Sequence, residues 1–368
     1  MYTYHSARVI TPLLLLGLAV LYRKDIFIKK NTKSLITAFL IAGFCLVPLA
    51  MTFIGEAGTS RFSGVGIFAD SGPFWRVNEL RGQHLNPFSL FPKIIHNRYL
   101  EYGVLFFDNW MRHFSGNFLF ISGDEIQRNR VPEMGQMYLA EIPFLILGLY
   151  FLIKNKPKNW QIIVWWLFVS PVAAALTFQS PHAIRALNMV IPLVVITAYG
   201  VVNCLGFLKQ KFSVNYQRIF YFLFFIFYLY FFSYYLHQYY VHYPKIYPSA
   251  WEYGFKDLVD YVKTKENSFE KIYITGKYDQ PYILFAFYLK YLPIEFQKEA
   301  SLTERDQFGF STVEHFGKYF FGEINNDKLS EAKVMVIGTP QEIPDSATIV
   351  KRIYFKDGKT EAFRIVEQ

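Results

Sequence analysis

Apolar residues come in long unbroken runs over roughly the first two-thirds of the chain and in short periodic groups after that. Six runs are long enough, or nearly so, to cross about 30 Å of hydrocarbon as helix. They lie near Ala7–Tyr22, Leu35–Ile54, Tyr138–Ile153, Trp160–Phe178, Ala183–Leu208 and Ile219–Leu236. Lysine and arginine cluster in alternate connections. Arg23, Lys24, Lys29, Lys30 and Lys33 follow the first run. Lys154, Lys156 and Lys158 join the third to the fourth, and Lys209, Lys211 and Arg218 join the fifth to the sixth. Basic residues in short loops mark the cytoplasmic side. The pattern therefore predicts an outer location for the N-terminus, the long Gly55–Met137 loop, the Ser180 turn and everything after the sixth run.

Within the outer loop, Pro92–Phe114 carries Ile94, Ile95, Tyr99, Tyr102, Leu105, Phe106 and Trp110 at helical spacing, opposite Lys93, His96, Asn97, Glu101, Asp108 and Arg112. This predicts an amphipathic helix, either lying in the membrane interface or packed on its own loop. Ser122-Gly123-Asp124-Glu125 reads as a turn close to the membrane surface, with Arg128, Arg130 and Glu133 nearby.

The pattern changes at about residue 241. Ser249 is placed to cap a helix lined by Trp251, Phe255, Leu258, Val259 and Val262. Lys271–Thr275 alternates as a strand, Pro281–Tyr291 suits a helix, and Lys333–Gly338 suits a buried strand. Ile349–Phe355 and Glu361–Val366 flank Asp357-Gly358, a hairpin signal. The expected architecture is a polytopic α-helical membrane domain over 1–240, with about six spans and the 55–137 outer loop, followed by a small extracytoplasmic α/β domain over 241–368.

Composition sharpens this. The chain of 368 residues is 52% hydrophobic and 20% aromatic but only 18% charged, below the roughly 25% of soluble domains. The net charge of +9 is accounted for by basic membrane edges, so no nucleic-acid partner is inferred. The lipid bilayer is the first partner. Cys45 and Cys204 lie inside apolar runs and read as small hydrophobes. The histidines show no metal-ligand spacing, so no metal site is expected.

Candidate chemistry sits at the outer ends of two runs. His182 and Arg185, in Ser180-Pro181-His182-Ala183-Ile184-Arg185, are three apart at the mouth of the fifth. A helix beginning near Pro181 would put both on one face beside a positive dipole end, suited to a phosphate. Arginine offers the bidentate geometry that a lipid-linked phosphate takes. His5 and Arg8 repeat the spacing at the first run. All four also suit ordinary anchors reaching the headgroups. Asp124, Glu125 and Glu133 are outer-face carboxylates near a span, open to acid/base or ligand roles or to simple solvation.

These residues carry a resemblance. Tyr4-His5-Ser6-Ala7-Arg8 with Thr11-Pro12-Leu13, Asn117-Phe118-Leu119-Phe120 with Gly123-Asp124 and Gly135, and Ser180–Ala186 with Pro192 resemble segments of bacterial membrane glycosyltransferases of the C-type fold. The related groups are the dolichyl-phosphate-mannose-protein mannosyltransferase-like and aminoarabinose-transferase-like families. The resemblance implies a hexosyltransferase that uses a polyprenyl-phosphate-linked sugar as donor, with no other cofactor, and an acceptor protein, lipid or glycan outside the inner membrane. It implies that Arg185, His182, Arg8 and His5 hold the donor phosphate. In the order of those motifs, Met1 falls at a middle helix. The catalytic acidic loop would then belong to a separate N-terminal part, because no carboxylate here matches it. A non-catalytic membrane scaffold with an outer binding domain is the alternative. A transporter is disfavoured, since no inverted repeat relates the two halves.

Overall fold

The computed structural model describes residues 4–52, 64–306 and 310–368. The chain divides into two compact units, Met1–Gln238 and Tyr239–Gln368.

The first unit is helical. Its main elements are α1 (Ser6–Leu21), α2 (Thr32–Thr52), α3 (Gly72–Gly82), α4 (Leu90–Ile95), α5 (Arg98–Arg112), α6 (Ile142–Asn155), α7 (Trp160–Val169), α8 (Val172–Ala175), α9 (Val190–Lys211) and α10 (Val214–His237). Among the described residues, three stretches are long and apolar enough to cross a membrane: Lys29–Met51, Leu187–Lys211 and Val214–Ile246. Two other helices in predicted spans are shorter. At 1.5 Å per residue, the 16 residues of α1 reach about 24 Å and the 14 of α6 about 21 Å. The fourth predicted span is divided between α7 and α8. The end of the second, beyond Thr52, lies outside the described residues, as does the start of the outer loop.

Helices α6 and α9 form the tightest pair. Gly148 and Gly200 make this possible, because a Cβ on Gly148 would lie 1.9 Å from the Ile196 carbonyl oxygen and one on Gly200 would lie 1.9 Å from that of Phe144. Small residues at such a crossing let two backbones meet without a hydrophobic driving force from water. Leu145, Leu152, Leu167, Leu193 and Ile196 fill the core around this pair, joined by Phe118 and Leu119 of the loop before α6. α1 packs separately on α7 and α8 through Ile10, Val169 and Ala173. In contrast, α10 has no fully buried residue: Phe224, Phe231 and Tyr234 pack on the unit, and the rest of its Phe- and Tyr-rich surface is exposed.

The predicted Pro92–Phe114 helix is two helices. Asn97 breaks it and caps α5, its side-chain oxygen accepting the N–H groups of Tyr99 and Leu100 at 3.0 and 3.1 Å. Tyr102, Leu105, Phe106 and Trp110, expected to meet lipid on one reading, are partly buried against the unit, while Tyr99, Leu100, Val104, Phe107 and Met111 face outward. The helix is therefore apolar on two sides, one packed on the unit and one exposed.

The second unit is a seven-stranded sheet in the order β2-β3-β4-β1-β5-β7-β6. Its strands are β1 (Lys271–Thr275), β2 (Ser301–Leu302), β3 (Val313–Phe316), β4 (Tyr319–Gly322), β5 (Val334–Gly338), β6 (Ile349–Tyr354) and β7 (Glu361–Glu367). β1 runs parallel to β4 and β5 on either side, and the remaining pairs are antiparallel. Alternation explains the layering. Ile272 and Ile274 join one core with Phe255, Leu258 and Val262 of helix α11 (Phe255–Lys265), while Tyr273 joins a smaller cluster with Val334, Val336 and Val366. Helices α12 (Pro281–Leu289), α13 (Pro293–Glu299) and α14 (Asn326–Ser330) lie in the connections. Ser249 does not cap α11. It opens a separate single turn, and Gly254 at φ 102° leads into the helix.

Candidate functional site

The long loop before α6 and the turn before α9 are sewn together by buried polar groups. A five-residue π-type turn at Asn117–Ile121 turns Phe118 and Leu119 inward. The returning strand-like segment pairs with it, Met137 N–H donating to the Leu119 carbonyl at 2.7 Å. Gly135 is needed there, since a Cβ would come within 2.3 Å of Phe120 N. This brings Asp124 beneath the loop, where it is fully buried.

Each oxygen of Asp124 is used. Oδ1 accepts the Ile126 N–H at 2.8 Å. Oδ2 accepts from Asn129 Nδ2 at 2.9 Å and from the Ala183 N–H at 2.7 Å. His113, also fully buried, supports the same turn. Its Nε2 lies 3.1 Å from the His182 N–H and its Nδ1 lies 2.8 Å from the Asn109 carbonyl oxygen. Only one tautomer fits both bonds: Nδ1 carries the proton and Nε2 accepts. Burial pushes this imidazole down to about 4, so the ring is neutral at physiological pH. Asn109 continues the lattice, its Nδ2 donating to the carbonyl of Thr177 at 3.2 Å.

The held turn differs from the expected helix start. Residues 183–186 form a turn and Leu187–Met189 a single 3-10 turn, so α9 begins only at Val190. The charged pair therefore does not sit in the first turn of the α-helix, and no dipole argument applies to it. His182 is buried, and its Nδ1 accepts the Arg185 N–H at 3.4 Å, leaving Nε2–H as its donor. Burial, reinforced by the neighbouring Arg185 charge, lowers its pKa, with Asp124 at 3.8 Å opposing. Arg185 is half-buried, and its Nη1 donates to Thr177 Oγ1 at 2.7 Å and reaches the Gln179 carbonyl at 3.5 Å.

His5 precedes α1 and is exposed, while Arg8 is half-buried in its first turn. Ile10, two residues beyond Arg8, packs on Ala173 of α8. Glu133 is exposed and binds sideways to α10, accepting from Tyr234 Oη at 3.0 Å and Gln238 Nε2 at 3.4 Å. Glu125 is exposed as well. Of the carboxylates picked out in the sequence, Asp124 thus closes the loop and Glu133 ties it to a helix.

Next to the turn lies a cleft of about 490 Å³. Its walls come from the loop (Leu119, Met134, Met137), from the turn and α9 (Ile184, Leu187, Val190) and from Tyr235 of α10. Ile184, Leu187 and Val190 are largely exposed, giving an apolar mouth. Among the described residues no lysine, arginine or histidine lines it, while Glu141, Asn129 and Gln136 do. Among the described residues, no group of three or more His, Cys, Asp or Glu could hold a metal ion.

No family model, curated protein or solved structure matches the chain. Sequence reasoning missed His113, Asn109 and Thr177. The first two are four apart on a helix, a spacing that places them on one face, but nothing local marks that face as the one turned toward residue 182.

Proposed function

We propose that the helical unit binds a polyprenyl-phosphate-linked sugar at the outer face of the membrane, as the donor-binding part of a glycosyltransferase. The observation that carries this reading is the apolar cleft opening beside the Ala183–Leu187 turn, in the same turn as Arg185. An isoprenoid chain suits a cleft with an apolar mouth and, among the described residues, no cation. Arg185 and His182 do not line the cleft themselves but share the turn that does, so a phosphate carried past Ile184 is offered a guanidinium and the His182 Nε2–H as a neutral second donor. Asp124 and Glu133 are not assigned as catalytic base, since the first is consumed by backbone N–H groups and the second by α10.

The reading includes six crossings, with α1, α6 and the α7–α8 pair as short spans, and places the loop and the sheet unit outside the inner membrane. Reporter fusions after Lys156, Lys211 and Gln368 test that topology: only the last should be active as a periplasmic reporter.

The binding claim is tested with the full chain in lipid nanodiscs, using farnesyl phosphate and farnesol as probes. Farnesyl phosphate should bind more tightly, and Arg185→Ala should remove that advantage while sparing farnesol binding. Equal affinity of the two probes in the native chain would defeat the phosphate assignment, and no binding of either would defeat the cleft assignment. The alternative of a non-catalytic scaffold is favoured by one observation, the internal use of Asp124 and Glu133. It predicts no transfer of labelled sugar by membranes that carry the chain.

A further inference from the structure

The sheet unit has its own crevice, independent of the donor reading. β1 is the central parallel strand, with β4 on one side and β5 on the other. The chain leaves β1 for the β4 side and then crosses back to β5. In open α/β sheets, ligands bind outside the carboxyl ends of strands where connections diverge in this way. A crevice of about 320 Å³ lies there, lined by residues following β1, β4 and β5. That volume is just above the roughly 300 Å³ at which small-molecule sites begin.

Its floor is two glycines. Gly276 N–H donates to the Gly322 carbonyl at 2.8 Å. Gly322 adopts φ 156°, a conformation side chains rarely take. A Cβ on Gly276 would come to 3.2 Å from Gly322 Cα, so the narrow floor depends on Gly276 having none and on the backbone conformation of Gly322.

The walls combine aromatic rings with oriented polar groups. Tyr278, Tyr282 and Phe321 line the crevice. Tyr278 is fixed by donating its hydroxyl to the Ala362 carbonyl at 3.0 Å, and the Tyr282 ring stacks on Phe296 at 6.3 Å between centroids. Tyr282 Oη donates to Gln280 Oε1 at 3.2 Å, which leaves the Gln280 amide N–H groups as donors. Glu342 Oε2 is held by Thr339 N and Oγ1, both at 2.9 Å, while its Oε1 is buried with no hydrogen-bond partner. A buried carboxylate oxygen without a donor is costly, and a small rotation of the half-buried Glu342 side chain that brought it to a ligand hydroxyl would relieve it.

The charge pattern selects the ligand. Among the described residues Glu323 and Glu342 line the crevice with a single cation, Lys277, which disfavours phosphates and carboxylates. Pro281 opens α12 and so removes one of the free N–H groups an anion would use. A purely apolar ligand would leave the Glu342 and Gln280 groups unmatched. A neutral polyol meets every requirement: its C–H face lies on tyrosine rings, and its hydroxyls pair with a carboxylate and an amide.

We propose that this crevice is a carbohydrate-binding site for a neutral hexosyl or N-acetylhexosaminyl unit. Glu342 and Gln280 take the hydroxyls, and Tyr282 takes the ring face.

The test uses the full chain in nanodiscs with methyl glucoside, methyl mannoside and N-acetylglucosamine as probes, read by saturation-transfer NMR and calorimetry. Inorganic phosphate serves as the charged control. At least one sugar should bind saturably without competition from phosphate. Glu342→Gln and Gln280→Ala should each weaken it about tenfold, consistent with loss of a hydrogen bond to a charged or oriented group. Arg185→Ala, in the other unit, should leave it unchanged. Gln280 is exposed, so its variant tests the site even if Glu342→Gln unfolds the unit. Binding of none of the three sugars overturns the proposal, as does sugar binding that Gln280→Ala leaves intact or that phosphate displaces.

Discussion

Asp124 Oδ2 lies 2.7 Å from the Ala183 amide nitrogen, so a carboxylate from the loop before α6 closes a turn 59 residues further along the chain. Because the same carboxylate also takes the N–H groups of Ile126 and Asn129, its loss leaves several donors unmatched in a buried place. Asp124→Ala should destabilise the helical unit by about 3 kcal/mol, given roughly 1–3 kcal/mol for each buried unsatisfied group and incomplete additivity. Asp124→Asn should recover less than half, since its amide nitrogen faces donors. Thermal unfolding of the purified protein in detergent measures both, and an unchanged midpoint for the alanine variant would remove the clamp from the account.

His113 makes the same turn sensitive to acid. Its pKa falls from 6.5 in the unfolded chain to about 4 when folded, because burial disfavours the charged ring. The folded state therefore binds fewer protons between those values, and stability is full above about pH 6.5 and declines as pH falls toward 4. By linkage the contribution lost at pH 5 is about 2 kcal/mol. His113→Gln should be less stable at pH 7.5 yet show a shallower pH slope than the native chain. Parallel slopes from unfolding at pH 7.5 and pH 5 would show that His113 is not the acid-sensitive group.

The glycine pair between α6 and α9 sets how closely those helices approach. Gly148→Ala and Gly200→Ala each bring a methyl group within 1.9 Å of a carbonyl oxygen on the partner helix, which forces the pair apart. Each should cost about 2 kcal/mol or more, in the range of overpacked cores. The double variant should cost less than the sum, because the first separation already makes room for the second methyl. Unfolding midpoints of the three variants decide this, and full additivity would mean the two contacts are independent.

Much of the fold was legible where periodicity reports burial directly. The strand Lys271–Thr275, the helix expected over Pro281–Tyr291 and found at Pro281–Leu289, the strand expected over Lys333–Gly338 and found at Val334–Gly338, and the hairpin around Asp357-Gly358 were readable from periodicity and turn chemistry. The strands at Val313–Phe316 and Tyr319–Gly322 were not, since each has only four residues and gains its burial from neighbours distant in sequence. At the candidate site, His182 and Arg185 were visible as polar residues at the edge of an apolar run, but their surroundings were not. The chain gave no sign that Asp124 is wholly buried, because burial there comes from the Phe118 and Met137 segments folding over it. The start of α9 was misplaced for a related reason. His182 and Asp124 bind the backbone N–H groups of Arg185 and Ala183, so the segment is held as a turn where a lone helix would have begun.

The outward face of α5 carries a last prediction. Tyr102 Oη donates to the Asp70 carbonyl at 2.9 Å and Trp110 Nε1 to that of Phe168 at 2.8 Å, which fixes the helix's rotation about its axis. Tyr99, Leu100, Val104, Phe107 and Met111 then point away from the unit and are exposed. An apolar face of this kind is stable when laid into the headgroup–acyl boundary. Spin labels at Val104→Cys and Phe107→Cys, in a background with Cys45 and Cys204 replaced by serine, should be more accessible to oxygen than to a water-soluble nickel reagent in nanodiscs. Labels at Asp108→Cys and Arg112→Cys, whose native charges pair at 2.8 Å, should show the reverse order. If the nickel reagent reached all four positions equally, α5 would be a solvent helix. If oxygen dominated at all four, it would lie deeper than the interface.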